Sequence, residues 1–122
     1  MVKKFFNPEI FLNVAKKIKE SINLDEQGKF RTAIGRAYYA AFLTAREYLK
    51  FHKAKKFDKD RQHQDVLDAL DELEQYDLKN WLDKLRDNRV NADYALNIWI
   101  EMELCEKSLM LSEEIINSVE GI

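Results

Sequence analysis

The sequence is most informative between residues 26 and 52, which read EQGKFRTAIGRAYYAAFLTAREYLKFH. Small and bulky residues are interspersed along this segment. The small ones permit close approach of neighbouring helices, and the bulky ones fill the remaining space. The small set is Ala33, Gly35, Ala37, Ala40, Ala41 and Ala45, and the bulky set is Phe30, Ile34, Tyr38, Phe42 and Leu49. We predict a long helix over 26–52 at the centre of a helical bundle.

Apolar residues at intervals of three and four predict further helices on both sides of this segment. Helix one begins with Asn7 as its N-cap and Pro8 in its first turn, and it ends near Ile22. The later helices are expected over about 61–74, 78–95 and 97–119. Asp77 is the predicted N-cap of helix four. The lysine-rich segment 52–63 is predicted to be a flexible connection.

The inward-facing residues of these helices are the apolar members of each repeat. They are Ile10, Phe11, Val14, Ala15, Ile18 and Ile22 in helix one, Val66, Leu67, Leu70 and Leu73 in helix three, and Ile98, Met102, Cys105, Leu109 and Ile116 in helix five. The pattern predicts an all-α fold, an up-and-down antiparallel bundle of four to five helices, with residues 1–122 as a single domain.

The composition limits the classes of function. Twenty Lys and Arg residues against 22 Asp and Glu residues give a formal charge of -2, so any contact with nucleic acid must be local. The lone cysteine, Cys105, excludes a disulfide framework within the chain and fits a cytoplasmic setting. No run approaches 18 apolar residues and the N-terminus lacks a cleavage site, so we expect neither secretion nor membrane insertion. His52 and His63 do not have metal-site spacing, and no cofactor is expected.

Helix four carries an arginine in its apolar repeat. Its inward-facing positions are Leu78, Leu82, Leu85, Arg89 and Ala92. A buried guanidinium requires a partner, and Asp93 stands one turn beyond Arg89. Two interpretations remain open. In the first, Arg89 has a structural role and forms an ion pair or extends to water. In the second, its charge and fork shape serve to bind a phosphate or another chain.

Two segments together resemble the HEPN family, in particular its branch of small stand-alone prokaryotic proteins. They are RTAIGRAYYAAFLTAREYL, residues 31–49, and LRDNRVNADYAL, residues 85–96. In that branch, helix two has a serine or glycine followed by arginine, alanine and two aromatic residues, as in 35–39 here. Helix four has an arginine shortly before alanine, aspartate and tyrosine, as at Arg89 and 92–94. His63 also lies where the branch often has a histidine.

The resemblance implies a bundle that dimerises and, in many members, a metal-independent ribonuclease. Such a site combines an arginine, often followed by a polar residue, with a histidine about five residues later. Arg89 matches the arginine, but Val90 follows it and Tyr94 occupies the histidine position. An unperturbed tyrosine, with a pKa of about 10, exchanges protons poorly near neutral pH. If the protein is an enzyme, the catalytic candidates are Arg89, Tyr94 and His63.

We therefore expect a protein that acts by binding. The resemblance implies a toxin-like or substrate-recognition partner of a minimal nucleotidyltransferase, in a toxin-antitoxin type of system, with a cleft for a nucleotide or an RNA phosphate. The predicted ligand-binding residues are Arg89, Asp93, Tyr94, Arg36 and Tyr39. The alternatives are a metal-independent RNA endonuclease and a structural adaptor without a ligand.

Three further features have predicted roles. Arg36 is expected to pair with Asp93 or Glu47, or to join Arg89 at a shared anionic pocket. Trp81 and Trp99 are core aromatics or contacts of a homodimer. The remaining feature is a basic cluster in the connection after helix two, which is a solvated loop or steers a polyanion to the bundle end. Its members are Lys53, Lys55, Lys56, Lys59 and Arg61.

Overall fold

The computed structural model describes residues 5–122 and contains five α-helices in this range. They are α1 (Glu9–Glu20), α2 (Glu26–His52), α3 (Gln62–Glu72), α4 (Tyr76–Tyr94) and α5 (Met102–Val119). No strand occurs among the described residues, and the predicted all-α bundle is confirmed. Residues 1–4 belong to the N-terminal segment that was predicted to lack a cleavage site, and they lie outside the described range. None of the helices within 5–122 has the length and apolarity needed to cross a bilayer.

The central position predicted for α2 is confirmed. This helix contacts all four other helices, and its bounds agree with the prediction. The Asp25 carboxylate caps its N-terminus by accepting a hydrogen bond from the Gly28 backbone N–H at 3.0 Å. Two buried apolar clusters lie along α2. One includes Tyr38 and Phe42 with residues of α3, α4 and α5, and the other includes Phe30 and Ile34 with residues of α1 and α5.

The bounds of α1 agree with the prediction at its start but not at its end. The Asn7 side chain accepts a hydrogen bond from the Glu9 N–H at 3.0 Å, as a cap would. The helix ends at Glu20 because Ser21 is extended, so Ile22 is outside the helix and 92% exposed. The inward face was also wrongly predicted for Ile10 and Val14, which are exposed. Leu12 and Ala15 are the residues that α1 buries.

Helices three and four meet at a turn different from the predicted one. Asp77 was expected to be the N-cap of helix four, but it lies with Tyr76 in the first turn of α4. The chain reverses instead at Glu74, whose φ of 59° is in the left-handed region and stops α3.

The predicted start of α5 at residue 97 is wrong, since the helix begins at Met102. The backbone between α4 and α5 makes its own turn bonds, such as that from the Ile98 N–H to the Ala95 carbonyl, and also bonds to side chains of α2. Arg31 donates to the carbonyls of Ala95 and Ile98, and Gln27 bonds both the carbonyl and the N–H of Ile100. These contacts hold 95–101 in a non-helical path, in which Ile98 and the adjoining Met102 are exposed rather than inward-facing.

Candidate anion-binding site

The packing of α2 against α4 brings the two sequence motifs together. A Cβ added to Gly35 would lie 3.9 Å from an Asp93 carboxylate oxygen, so the α2 motif lies directly beside the α4 motif. Arg89 extends from α4 over this contact. Its Cζ is 5.4 Å from the ring centre of Tyr39, 5.9 Å from that of Tyr38 and 5.8 Å from that of Tyr94. We call Arg89 and these three tyrosines the arginine cage.

Arg89 is at the margin of the core and not inside it. Asn88 takes the buried position on α4, where its amide donates to the Ser108 hydroxyl at 3.2 Å. Helical spacing could not distinguish Asn88 from Arg89. From Leu85 to Ala92, a step of three followed by four passes through Asn88, and a step of four followed by three passes through Arg89. Both paths fit the helical repeat. The Arg89 side chain keeps 19% of its surface exposed. The prediction that it faces the interior is therefore wrong by one position.

The predicted pairing of Arg89 with Asp93 is present. Arg89 Nε lies 3.0 Å from Asp93 Oδ2. The approach is too poorly aligned for a hydrogen bond, so Nε is a buried polar atom with no hydrogen-bond partner among the described residues. Within residues 5–122 the charge of Arg89 is thus balanced by one carboxylate, whose side chain is 36% exposed, and its Nε–H makes no hydrogen bond.

His63, at the start of α3, joins the cage through Tyr38. The Tyr38 hydroxyl and His63 Nδ1 are 2.6 Å apart, and Phe42 stacks on both rings. His63 Nε2 lies 3.5 Å from Asp83 Oδ1 and has no hydrogen-bond partner within residues 5–122. If Tyr38 donates to Nδ1, the ring proton resides on Nε2, beside Asp83.

Burial sets the protonation states of this pair. Desolvation lowers the pKa of His63, the positive charge of Arg86 lowers it further, and Asp83 and Asp87 partly oppose the shift. Desolvation also raises the pKa of Tyr38 well above its usual range. At neutral pH the imidazole is therefore uncharged and the phenol is protonated.

Arg36 does not form either predicted ion pair among the described residues. Its Cζ lies 4.9 Å from the ring centre of Phe11 and 5.1 Å from that of Tyr39, while Glu47 pairs with Arg46. Arg36 and Arg89 thus contact the same tyrosine. The predicted ligand-binding residues Arg89, Asp93, Tyr94, Tyr39 and Arg36 are contiguous, since each touches Arg89 or shares Tyr39 with it.

The comparison with known proteins identifies the family. A family model described as the HEPN domain matches residues 10–122. The chain belongs to the HEPN family. Two uncharacterized proteins of Methanocaldococcus jannaschii are similar to it. MJ0628 is 37% identical over 109 residues, covering 76% of this chain and 66% of that protein. MJ0992 is 47% identical over 45 residues, covering 37% of this chain and 25% of that protein.

The chain thus spans just under two thirds of one relative and a quarter of the other. Membership of the HEPN family indicates a function connected with nucleotides or RNA. Within residues 5–122 of this HEPN chain, no three His, Cys, Asp or Glu side chains converge on a common point where they could hold a metal ion. The groups available to a ligand at the cage are therefore guanidinium, phenol and carboxylate.

Sequence reasoning missed several residues that shape the arginine cage and its surroundings. Tyr38 was assigned to packing, yet its hydroxyl links His63 to the cage. Arg31 was not singled out, although it also donates to the Ala92 carbonyl at 3.1 Å and so fixes the end of α4 next to Asp93 and Tyr94. The only signal for Arg31 is its spacing of four from Gln27, to which its Nε donates.

Proposed function

We propose that the arginine cage binds a phosphate group of RNA or of a nucleotide, and that the protein acts by binding rather than by catalysis. The observation that carries this proposal is the state of Arg89. Within residues 5–122, its guanidinium lies among three tyrosine rings with a single carboxylate partner, and its buried Nε makes no hydrogen bond. A guanidinium has five N–H donors, and phosphate oxygens match its fork geometry.

The tyrosines around Arg89 suit a nucleic-acid ligand. Tyr94 is 70% exposed, so its ring has a free surface on which a base could stack while Arg89 holds the neighbouring phosphate. Tyr39 is half-buried and lies between Arg36 and Arg89. Two cations beside one aromatic ring supply the local positive charge that the whole protein, at -2, does not have.

Substitution of Arg89 tests the proposal. Fluorescence anisotropy with a labelled single-stranded RNA should show at least a tenfold weaker affinity for Arg89→Ala, and incomplete recovery in Arg89→Lys, which keeps the charge but not the fork. Lys17→Ala is the matched control, since it removes one charge from an exposed position on α1. Unchanged RNA binding by Arg89→Ala, with lowered thermal stability, would overturn the proposal in favour of a structural adaptor.

We also propose a protein partner, a minimal nucleotidyltransferase, and a homodimer. The support is a strip of exposed apolar residues next to Tyr94, formed by Leu96, Ile98, Trp99 and Met102. Affinity purification from the native host should recover a nucleotidyltransferase, and sedimentation of the purified protein should give a dimer. A monomer that recovers no such enzyme would remove this part of the proposal and leave RNA binding intact.

The placement of His63 supports a second candidate, a metal-independent ribonuclease. The lowered pKa keeps the imidazole neutral and able to accept a proton. Against this role, Nδ1 is engaged by Tyr38 and Nε2 is buried. If the protein is a ribonuclease, it cleaves RNA in the presence of a chelator, and both Arg89→Ala and His63→Gln abolish cleavage. Cleavage that survives in Arg89→Ala would exclude this site as its source.

A further inference from the structure

A second cluster of cations lies at the other end of α2, where the chain turns toward α3. A pocket of about 580 Å³ there is lined by Arg46, Lys50, Ala54, Lys55, Lys56, Phe57 and Gln62. Four of these side chains are cationic and none is acidic. Ala54 has a φ of 52°, and the Lys55 N–H bonds back to the Leu49 carbonyl at 3.1 Å. The turn therefore folds the lysine-rich segment back over the last turn of α2.

Two of the four charges are balanced by neighbouring carboxylates. Arg46 pairs with Glu47, and Lys55 pairs with Glu72 at 2.8 Å. Lys50 and Lys56 are exposed and form no ion pair within residues 5–122. The pocket keeps two uncompensated positive charges beside the partly buried aromatic ring of Phe57. This combination of cations and an aromatic ring suits the backbone and bases of a single strand.

The pocket is connected to the arginine cage by a row of side chains along α2. Tyr38, Phe42, Arg46 and Lys50 recur at intervals of four, so each is a neighbour of the next, and the row turns around the helix by about 40° at each step, from the buried Tyr38 to the exposed Lys50. The contacts are continuous at the cage end, since Tyr38 stacks on Phe42 at 5.6 Å and Arg46 lies 5.9 Å from the Phe42 ring centre. Arg46 also donates to Gln62, the neighbour of His63, at 2.8 Å. Twelve residues of helix separate Tyr38 from Lys50 by about 18 Å.

We propose that the pocket lined by Lys50 and Lys56 is a second phosphate site, and that the ligand of this protein is a single-stranded RNA of several nucleotides that reaches from Arg89 to this pocket. The inference rests on the proposed function, because the cage holds one end of the strand. A mononucleotide is too short to touch both sites. The negative charge of Asp83 lies beside His63, and the positive charge of Arg86 acts on the same imidazole.

The experiment compares RNA lengths in the full chain. Anisotropy titrations use a labelled dinucleotide and a labelled octanucleotide of RNA, with wild type and the double variant Lys50→Gln/Lys56→Gln. The double variant should bind the octanucleotide about tenfold more weakly and the dinucleotide within twofold of wild type. Its salt dependence should decrease by about 1.4 in the slope of log K against log salt, since each phosphate contact on a single strand contributes about 0.7.

Two controls separate the possible failures. Lys17→Gln/Lys107→Gln removes the same charge from exposed positions on α1 and α5, and should bind both RNAs within twofold of wild type. Wild-type affinity and salt slope for the octanucleotide in Lys50→Gln/Lys56→Gln would overturn the second site. If Arg89→Ala binds both RNAs as wild type does, the cage proposal fails. If, in that case, Lys50→Gln/Lys56→Gln still binds the octanucleotide more weakly than wild type, the pocket is an RNA site that does not depend on the cage.

Discussion

Arg31 and Arg89 lie close to the same end of α4 but have opposite surroundings. The guanidinium of Arg31 donates to the carbonyls of Ala92, Ala95 and Ile98 and to the Gln27 side chain. That of Arg89 has one carboxylate at its Nε and otherwise faces aromatic rings. Both side chains are only partly exposed. The difference is in how many of their donors the fold itself uses.

Under the proposed function, Arg31 is a structural arginine and Arg89 a binding arginine. Carbonyls at and beyond the end of α4 lack the N–H groups that a continuing helix would supply, and Arg31 donates to three of them. Within residues 5–122, Arg89 donates to no backbone carbonyl. Its ion pair with a half-exposed carboxylate is weak enough for a phosphate to compete with it. We therefore expect Arg31 to contribute to stability and Arg89 to contribute to ligand binding.

Arg31→Ala should have the largest effect on stability. It leaves three carbonyls without their charged donor and frees the connection between α4 and α5, at a cost of about 2–4 kcal/mol in the free energy of unfolding. Urea denaturation followed by circular dichroism measures this change. Arg89→Ala, the matched variant, should cost about 1 kcal/mol or less. Equal losses in the two variants would mean that Arg89 is structural too, and the contrast would disappear.

A smaller effect should appear as a pH dependence of the cage region. His63 has a lowered pKa in the folded state, so the unfolded chain takes up a proton below about pH 6.5 more readily than the folded chain does. The contribution of neutral His63 to stability is complete above that pH and is lost as the pH falls through it. Unfolding measured at pH 7.5, 6.5 and 5.5 should show wild type losing more stability than His63→Gln.

The Arg31 region supplies the control for this experiment. Its contacts join a guanidinium, an amide and backbone carbonyls, and include neither a histidine nor a carboxylate. The stability difference between wild type and Arg31→Ala should therefore be the same at all three pH values. If wild type and His63→Gln lose equal stability as the pH falls, protonation of His63 does not oppose folding, and the predicted pH dependence is wrong.

The sequence was sufficient for the parts of the fold that depend on local pattern. The bounds of α2 follow from its long series of small and bulky apolar residues, which could be read without tertiary information. The start of α5 could not, because 95–101 is held by Gln27 and Arg31, more than 60 residues away in the chain. The prediction of the inward face of α1 was wrong for a similar reason, since the packing against α2 determines which residues are buried.

The candidate site was predictable in its members but not in its geometry. The order of the two motifs indicated Arg89, Asp93, Tyr94 and Tyr39, which the structure brings together. Helical periodicity could not choose between Asn88 and Arg89 as the buried residue, because the two differ by only one position. The link from Tyr38 to His63 joins residues 25 apart on different helices. No spacing in a single sequence predicts such a contact.

Trp99→Ser should have the smallest effect on stability and tests whether the Arg31 region also binds a partner. Trp99 is 65% exposed, so its replacement should change the free energy of unfolding by less than about 0.5 kcal/mol. Arg31 and Gln27 nevertheless hold the backbone on both sides of it, and a fixed backbone lowers the cost of ordering an exposed aromatic side chain on binding. If the strip forms the homodimer contact, sedimentation should show at least tenfold weaker association. Unchanged association would leave Arg31 with a purely structural role.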